Sequence, residues 1–208
     1  MSTIKPNKTD SVEVLAHQAA AHPITIVGAS MDARTKRRVV LFMYHGFVEA
    51  AANTNPGTFL VQIRPDAGDG SVNEHWKTVA EYVVKDTTPD TEAMTATEPA
   101  AETVLAVEAT AGFVARDLLY IQDAGELADS EWAECQEIVT DTSINLVDGL
   151  TTEKDNADVI WNDASRFVCA LDLNGIESYR VIWSHEGAAG ANGHVKVIGT
   201  TYDSDDQT

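Results

Sequence analysis

Apolar residues recur along this chain in short runs, and clusters of turn-forming residues separate them. Residues 58–64 (TFLVQIR) alternate apolar and polar side chains between two turn clusters, 53–57 (NTNPG) and 65–70 (PDAGDG). Such alternation gives a β-strand one face for a core and one for solvent, and Gly, Pro, Asn and Asp supply the turns. The same pattern predicts strands at 24–27, 38–48 (RVVLFMYHGFV) and 75–84, then at 166–173, 178–183 and 194–202. Residues 187–193 (GAAGANG) read as a Gly-rich hairpin tip between the last two.

The middle of the chain has a different rhythm. Residues 86–101 are rich in Thr, Asp, Glu, Ala and Pro without periodicity, and read as a connector. Short strands follow at 103–108, 117–122, 132–139 and 142–147, and closely spaced strands with tight turns suggest a small closed or half-closed β-barrel. Residues 151–164 are polar again. The predicted fold is all-β: a discontinuous β-sandwich, jelly-roll or immunoglobulin-like, with an inserted small β-barrel module. Residues 1–20 form an N-terminal arm, 21–98 and 160–203 the sandwich, 99–159 the insert and 204–208 an acidic tail. Neither half of the sandwich has enough strands for two packed sheets, whereas together they do. Within the arm, residues 11–20 (SVEVLAHQAA) suit a short helix or an extended segment that orders on a neighbouring subunit.

Composition narrows the function classes. A chain of 208 residues with 44% hydrophobic side chains can bury a core without metal or disulfide support. Thirty-three acids against fourteen bases give a formal net charge of -19. So acidic a surface repels nucleic acid, stays soluble at high display density and suits a saline habitat. No apolar run is long enough for a membrane helix, and the polar N-terminus is not followed by the apolar segment of a signal peptide. No membrane partner is expected, and the chain is expected to start in a cytoplasm or inside an assembly made there. Cys135 and Cys169 lie in strand-like runs and read as buried free thiols; a disulfide has no framework pattern behind it.

Three segments of the insert, residues 111–121 (AGFVARDLLYI), 129–139 (DSEWAECQEIV) and 142–150 (TSINLVDGL), together resemble a module of tailed-phage structural proteins. The strands at 38–48, 58–64 and 75–84, and residues 179–183 (YRVIW), are similar to the same group. The resemblance covers most of residues 24–202. It implies a virion protein of the head, of the auxiliary, cement or decoration type, and carries no catalytic residues with it.

Catalytic motifs are missing from the sequence: it has no phosphate-binding loop, nucleophile elbow, His-Glu-x-x-His or Cys-x-x-Cys. No enzyme activity and no cofactor are therefore expected. His185 and His194 flank the glycine-rich segment and could face each other across a hairpin, although zinc would need further ligands. His45 reads as a satisfied core histidine. Asp123, Glu126, Asp129 and Glu131 form an acidic loop that offers oxygen ligands without EF-hand spacing; a solvated loop is the plainer reading, as it is for Glu153, Asp155 and Asp158. Trp76, Trp132, Trp161 and Trp183 read as core, or one of them as a sugar-binding platform. Arg34, Lys36, Arg37 and Arg38 form a basic run in an acidic protein. They are either a solvated turn before a strand or a docking patch for an acidic surface on a capsid or sister subunit.

The expected function is that of a capsid cement protein on the virion surface, with the major capsid protein as partner and a homo-oligomer, such as a trimer, as its form. Its arm would add a strand to a neighbour's sheet. A receptor- or glycan-binding component of a tail or fibre is the alternative, and a depolymerase with two close carboxyl groups is a third reading.

Overall fold

The computed structural model describes residues 8–20, 24–49, 57–65, 75–185 and 193–203. The described chain is all-β, with a short 3-10 turn at Leu127–Asp129. Its strands are β1 (Lys8–Ala20), β2 (Ile24–Val27), β3 (Met31–Asp32), β4 (Lys36–Phe47), β5 (Thr58–Arg64), β6 (Lys77–Val83), β7 (Thr91–Ala93) and β8 (Val104–Ala106). They continue with β9 (Leu118–Gln122), β10 (Glu131–Val139), β11 (Ser143–Leu146), β12 (Val159–Trp161), β13 (Ser165–Asp172), β14 (Ser178–His185) and β15 (Gly193–Asp203).

Two antiparallel sheets face each other. One has the order β1-β15-β4-β13; the other has the order β2-β14-β5-β6, with β3 also paired to β14. Alternation decides what lies between them. Val39, Leu41 and Met43 of β4, Val195 and Val197 of β15, and Tyr179, Val181 and Trp183 of β14 point inward and are fully buried. First and last strands meet, because β1 runs antiparallel to β15 from Lys8↔Tyr202 to Ala20↔Gly193.

Residues 8–20 therefore complete a sheet of their own chain, in place of the arm expected to order on a neighbour. Val14 and Leu15 are buried side by side, which needs a bulge, and the β1 register shifts three times. The turn at 53–56, the loop at 66–70, the tail at 204–208 and the first seven residues lie outside the described residues. So do residues 187–192 of the presumed hairpin tip. That tip is corrected by topology: β14 pairs with β2 and β5 whereas β15 pairs with β1 and β4, so the two strands belong to different sheets and share no ladder.

The remaining strands form one six-stranded sheet, ordered β7-β12-β9-β10-β11-β8. An isolated bridge, Met94↔Val107, joins its two ends and curls it around a second core that includes Met94, Leu105, Leu119, Ile121, Cys135, Ile144 and Ile160. The sheet runs from Thr91 to Trp161. It thus recruits β7 from the stretch read as a connector and ends within the polar stretch before β13.

Candidate functional site

The chain folds so that its two cores meet through β9. Leu119 and Ile121 point into the barrel core, and Tyr120, between them, points out of it into the sandwich core. Both faces of β9 are thus buried, which accounts for the unbroken apolar run Leu118, Leu119, Tyr120, Ile121. The Tyr120 ring packs 4.7 Å from Trp132 of β10, and Trp132 sits 5.5 Å from Tyr44 of β4 and 4.9 Å from His17 of β1. The Tyr120 hydroxyl is hydrogen-bonded to Nδ1 of His194 and lies 3.1 Å from Nε2 of His17. With one proton to give, it donates to one imidazole and accepts from the other. Burial holds this hydroxyl's pKa above the tyrosine value, and holds both imidazoles down at about 4, the approach of His194 and Lys196 adding to the effect on His17.

Gly46 makes the close approach possible. A Cβ there would lie 2.2 Å from the Tyr120 ring. Replacing Gly46 with Ala forces the barrel off the sheet or the ring out of its rotamer. We expect Gly46→Ala to lower the unfolding free energy by about 1–3 kcal/mol and to increase tryptophan exposure to an aqueous quencher, both readable by fluorescence.

The histidines expected to face each other are thus separated. His194 belongs to this junction, whereas His185 is buried beside Trp183 on β14. His45 is in the core as expected, but it is not satisfied by hydrogen bonds: among the described residues neither ring nitrogen has a partner. It stacks on Trp183 at 5.2 Å and meets Phe47 edge-on at 4.7 Å. Desolvation, then the nearby His185 and His194, press its pKa down to about 3.

The acidic loop supplies its own cation. Lys154, fully buried, donates to the Asp129 carbonyl at 2.7 Å and to the Thr152 hydroxyl, and its ammonium is 2.8 Å from Glu131. Glu131 also accepts from the Thr151 backbone N–H and hydroxyl at 2.9 and 2.7 Å. Asp123 accepts from the backbone of Gly125 and Glu126, and Asp158 from Ala124 and Asp155. Asp123, Glu131 and Asp158 thus hold the loops together through their own chain's donors, while Glu126, Glu153 and Asp155 are exposed, as a solvated loop has them. Among the described residues no group of three or more His, Cys, Asp or Glu is placed to hold a metal ion. Nothing in the sequence singles out Lys154, since one lysine in a polar stretch has the pattern of a surface residue.

All four tryptophans are packed. Trp183 is in the sandwich core, and Trp161 is buried and donates to Gln122 at 3.0 Å. Trp132 is in the junction. Trp76 is buried against the guanidinium groups of Arg180, 4.2 Å from its ring centre, and Arg64, 5.4 Å away. The sugar-platform reading thus has no exposed tryptophan to use. Cys135 and Cys169 are free, buried and in different cores.

The basic run divides into two pairs. Arg34 is bound to Asp32 at 2.8 Å, and Lys36 reaches Asp203 at 2.5 Å. Arg37 and Arg38 are exposed and make no ion pair with a described residue. Arg38 shares the outer face of β4 with Val40 and Phe42 by alternation. Phe42 lies opposite Val168 of β13 and Ile198 of β15, and Val40 lies opposite Ala170. Val168 is 52% exposed, while Val40, Phe42 and Ile198 are half-buried. The geometry is a shallow apolar stripe with the Arg38 guanidinium at one end and the barrel at the other, and by the same alternation Arg37 belongs to the opposite face of β4.

No protein-family model matches the chain. No curated protein matches it either. Among solved structures it is similar to VP17, a capsid protein of bacteriophage P23-77, at 6% sequence identity and a TM-score of 0.16, over 94% of this chain and 100% of that one. At that score the likeness carries no argument about fold or function. No helix among the described residues is long and apolar enough to cross a membrane.

Proposed function

We propose that this protein is a non-enzymatic structural component of a virion, a cement or decoration protein that binds on the capsid surface at joints between major capsid proteins. The observation that carries the reading is the outer face of the β1-β15-β4-β13 sheet. There Arg38, next to Arg37 at the start of β4, is exposed and makes no ion pair with a described residue at the end of an apolar stripe, in a chain of net charge -19. Exposed cationic side chains next to apolar area fit an acidic, partly apolar partner surface; the apolar contact supplies affinity and the charges set register. The resemblance of residues 111–121, 129–139 and 142–150 to tailed-phage structural modules supports the same reading. The mechanism is mechanical: each bound copy buries interface that must be broken before neighbouring shell proteins part.

The test is to mix purified protein with capsids stripped of it, pellet the particles and count bound copies. Saturation at a multiple set by icosahedral symmetry supports the proposal. A handful of copies transfers the protein to a tail or fibre. Arg37→Glu with Arg38→Glu is expected to leave the fold intact and to lower occupancy about tenfold or more at moderate salt, since each reversed charge now repels the acidic face. Occupancy equal to that of the unaltered protein removes the patch from the docking surface.

A further inference from the structure

An open sheet edge invites another strand, and proteins usually blunt such edges with bulges, short length or covering elements. The edge strands here differ in this respect. β1 carries three register shifts, β6 one, and β2, β3, β7 and β8 have two to four residues each. β13 is the exception. It pairs with β4 over eight consecutive residues without a shift, and no described strand lies on its other side.

The direction of its free backbone groups is fixed by one bond. The Leu173 N–H donates to the Arg37 carbonyl at 2.8 Å, in register with Asp172↔Arg38. Bonded pairs alternate along an antiparallel ladder, so odd-numbered residues of β13 turn their backbone toward β4. Arg166, Val168, Ala170 and Asp172 turn theirs toward the open edge. Consistent with this, the Val168 carbonyl is reached from that side by the Tyr82 hydroxyl, at a long 3.5 Å.

We propose that β13 pairs antiparallel with β13 of a second copy of this chain, about a twofold axis at Cys169. Of the even registers open to two such edges, this one pairs all four outward-facing residues. It sets Arg166 opposite the partner's Asp172 at both ends and Val168 opposite the partner's Ala170 between them. Phe167 meets the partner's Leu171 on the inner face. The sequence SRFVCALD is thus complementary to itself in charge and in shape when reversed, as an isologous contact requires. Arg166 is 47% exposed and has one loose partner, Glu134 at 3.7 Å, so its guanidinium has donors to spare. The pairing joins two four-stranded sheets into one of eight and makes their apolar stripes continuous. It does not depend on docking to a shell, and it gives dimers, or even multiples of them, in place of a trimer.

The test begins with sedimentation of the full chain, where a dimer is expected. Ala170→Pro removes an outward N–H while leaving the β4 ladder whole, and should give a folded monomer by circular dichroism. Arg166→Asp or Asp172→Arg alone sets like charges opposite each other twice and should weaken the dimer about tenfold or more. The double exchange should restore it, which a merely misfolded variant would not do. The axis also places the two Cys169 residues in a non-bonded pair, with Cα atoms about 4.5 Å apart, within disulfide range. Copper-phenanthroline should therefore oxidise the two thiols to a covalent dimer, abolished by Cys169→Ser and retained by Cys135→Ser. A monomer or a trimer, or a dimer indifferent to Ala170→Pro and to the single charge reversals, overturns the proposal.

Discussion

Replacing Lys154 with Met is expected to destabilise the protein by about 3–5 kcal/mol, the cost of leaving a buried charge without its partner. The lysine is fully buried, and its ammonium ties three segments: Asp129 before β10, Glu131 within it and Thr152 after β11. Its own backbone pairs with Glu98, in the segment before β8, through bonds of 2.8 and 2.9 Å. Methionine keeps the length of the stem and the backbone bridge but strands the Glu131 carboxylate. Adding Glu131→Gln should recover more than half of the loss, because a neutral amide still accepts from Thr151 and needs no counter-charge. Urea denaturation of the two variants measures both quantities. A single substitution worth less than about 1 kcal/mol would place Lys154 with ordinary surface ion pairs.

Acid should weaken the fold well before its carboxylates titrate. His17 and His194 are held down at about 4 and His45 at about 3, each from an ordinary 6.5. A histidine whose folded pKa lies below its unfolded one binds protons more readily when unfolded. Its stabilising effect is therefore complete above pH 6.5 and is lost as pH falls from there toward the folded value. Each such group contributes a slope of about 1.4 kcal/mol per pH unit when fully buried, and less for the partly exposed His17 and His194. Stability measured between pH 6.5 and pH 4 should fall steeply, with His45 the largest contributor. His45→Phe keeps an aromatic ring over Trp183 and removes two unpartnered nitrogens. It should flatten the slope by about one proton, which denaturation midpoints across that range will show. A pH-independent midpoint for the unaltered protein would mean that these imidazoles bind protons equally in the folded and unfolded states.

Strands with clean alternation were legible from sequence: β4, β5, β13, β14 and β15 lie where apolar periodicity puts them. The elements that escaped have physical reasons to do so. β1 buries Val14 and Leu15 together at a bulge, which erases its period. β7 and β12 have three residues each, too few to show a period at all, yet they carry the sheet past the polar stretches on either side of the barrel. The exchange of sheets between β14 and β15 is a long-range choice made by β4 and β5, and nothing local to the glycine-rich segment records it. Of the candidate site residues, Arg34 and Lys36 are neutralised by Asp32, which is near in sequence, and Asp203, which is remote. Only the tertiary structure could separate them from Arg37 and Arg38. The Tyr120 junction left a partial trace, since an apolar run without alternation signals a strand covered on both faces.

The place of β15 has a consequence for how the chain comes into being. It lies inside its sheet, between β1 and β4, though it is the last strand in order. While a ribosome is still adding residues, β1 has no strand to pair with and β4 has one flank bare. The sheet can close only after the segment around Val195 and Val197 has emerged. A chain that stops short exposes two strand edges and half a core, the marks by which proteases find unfinished products. Copies that survive as folded protein are therefore those whose synthesis ran through β15.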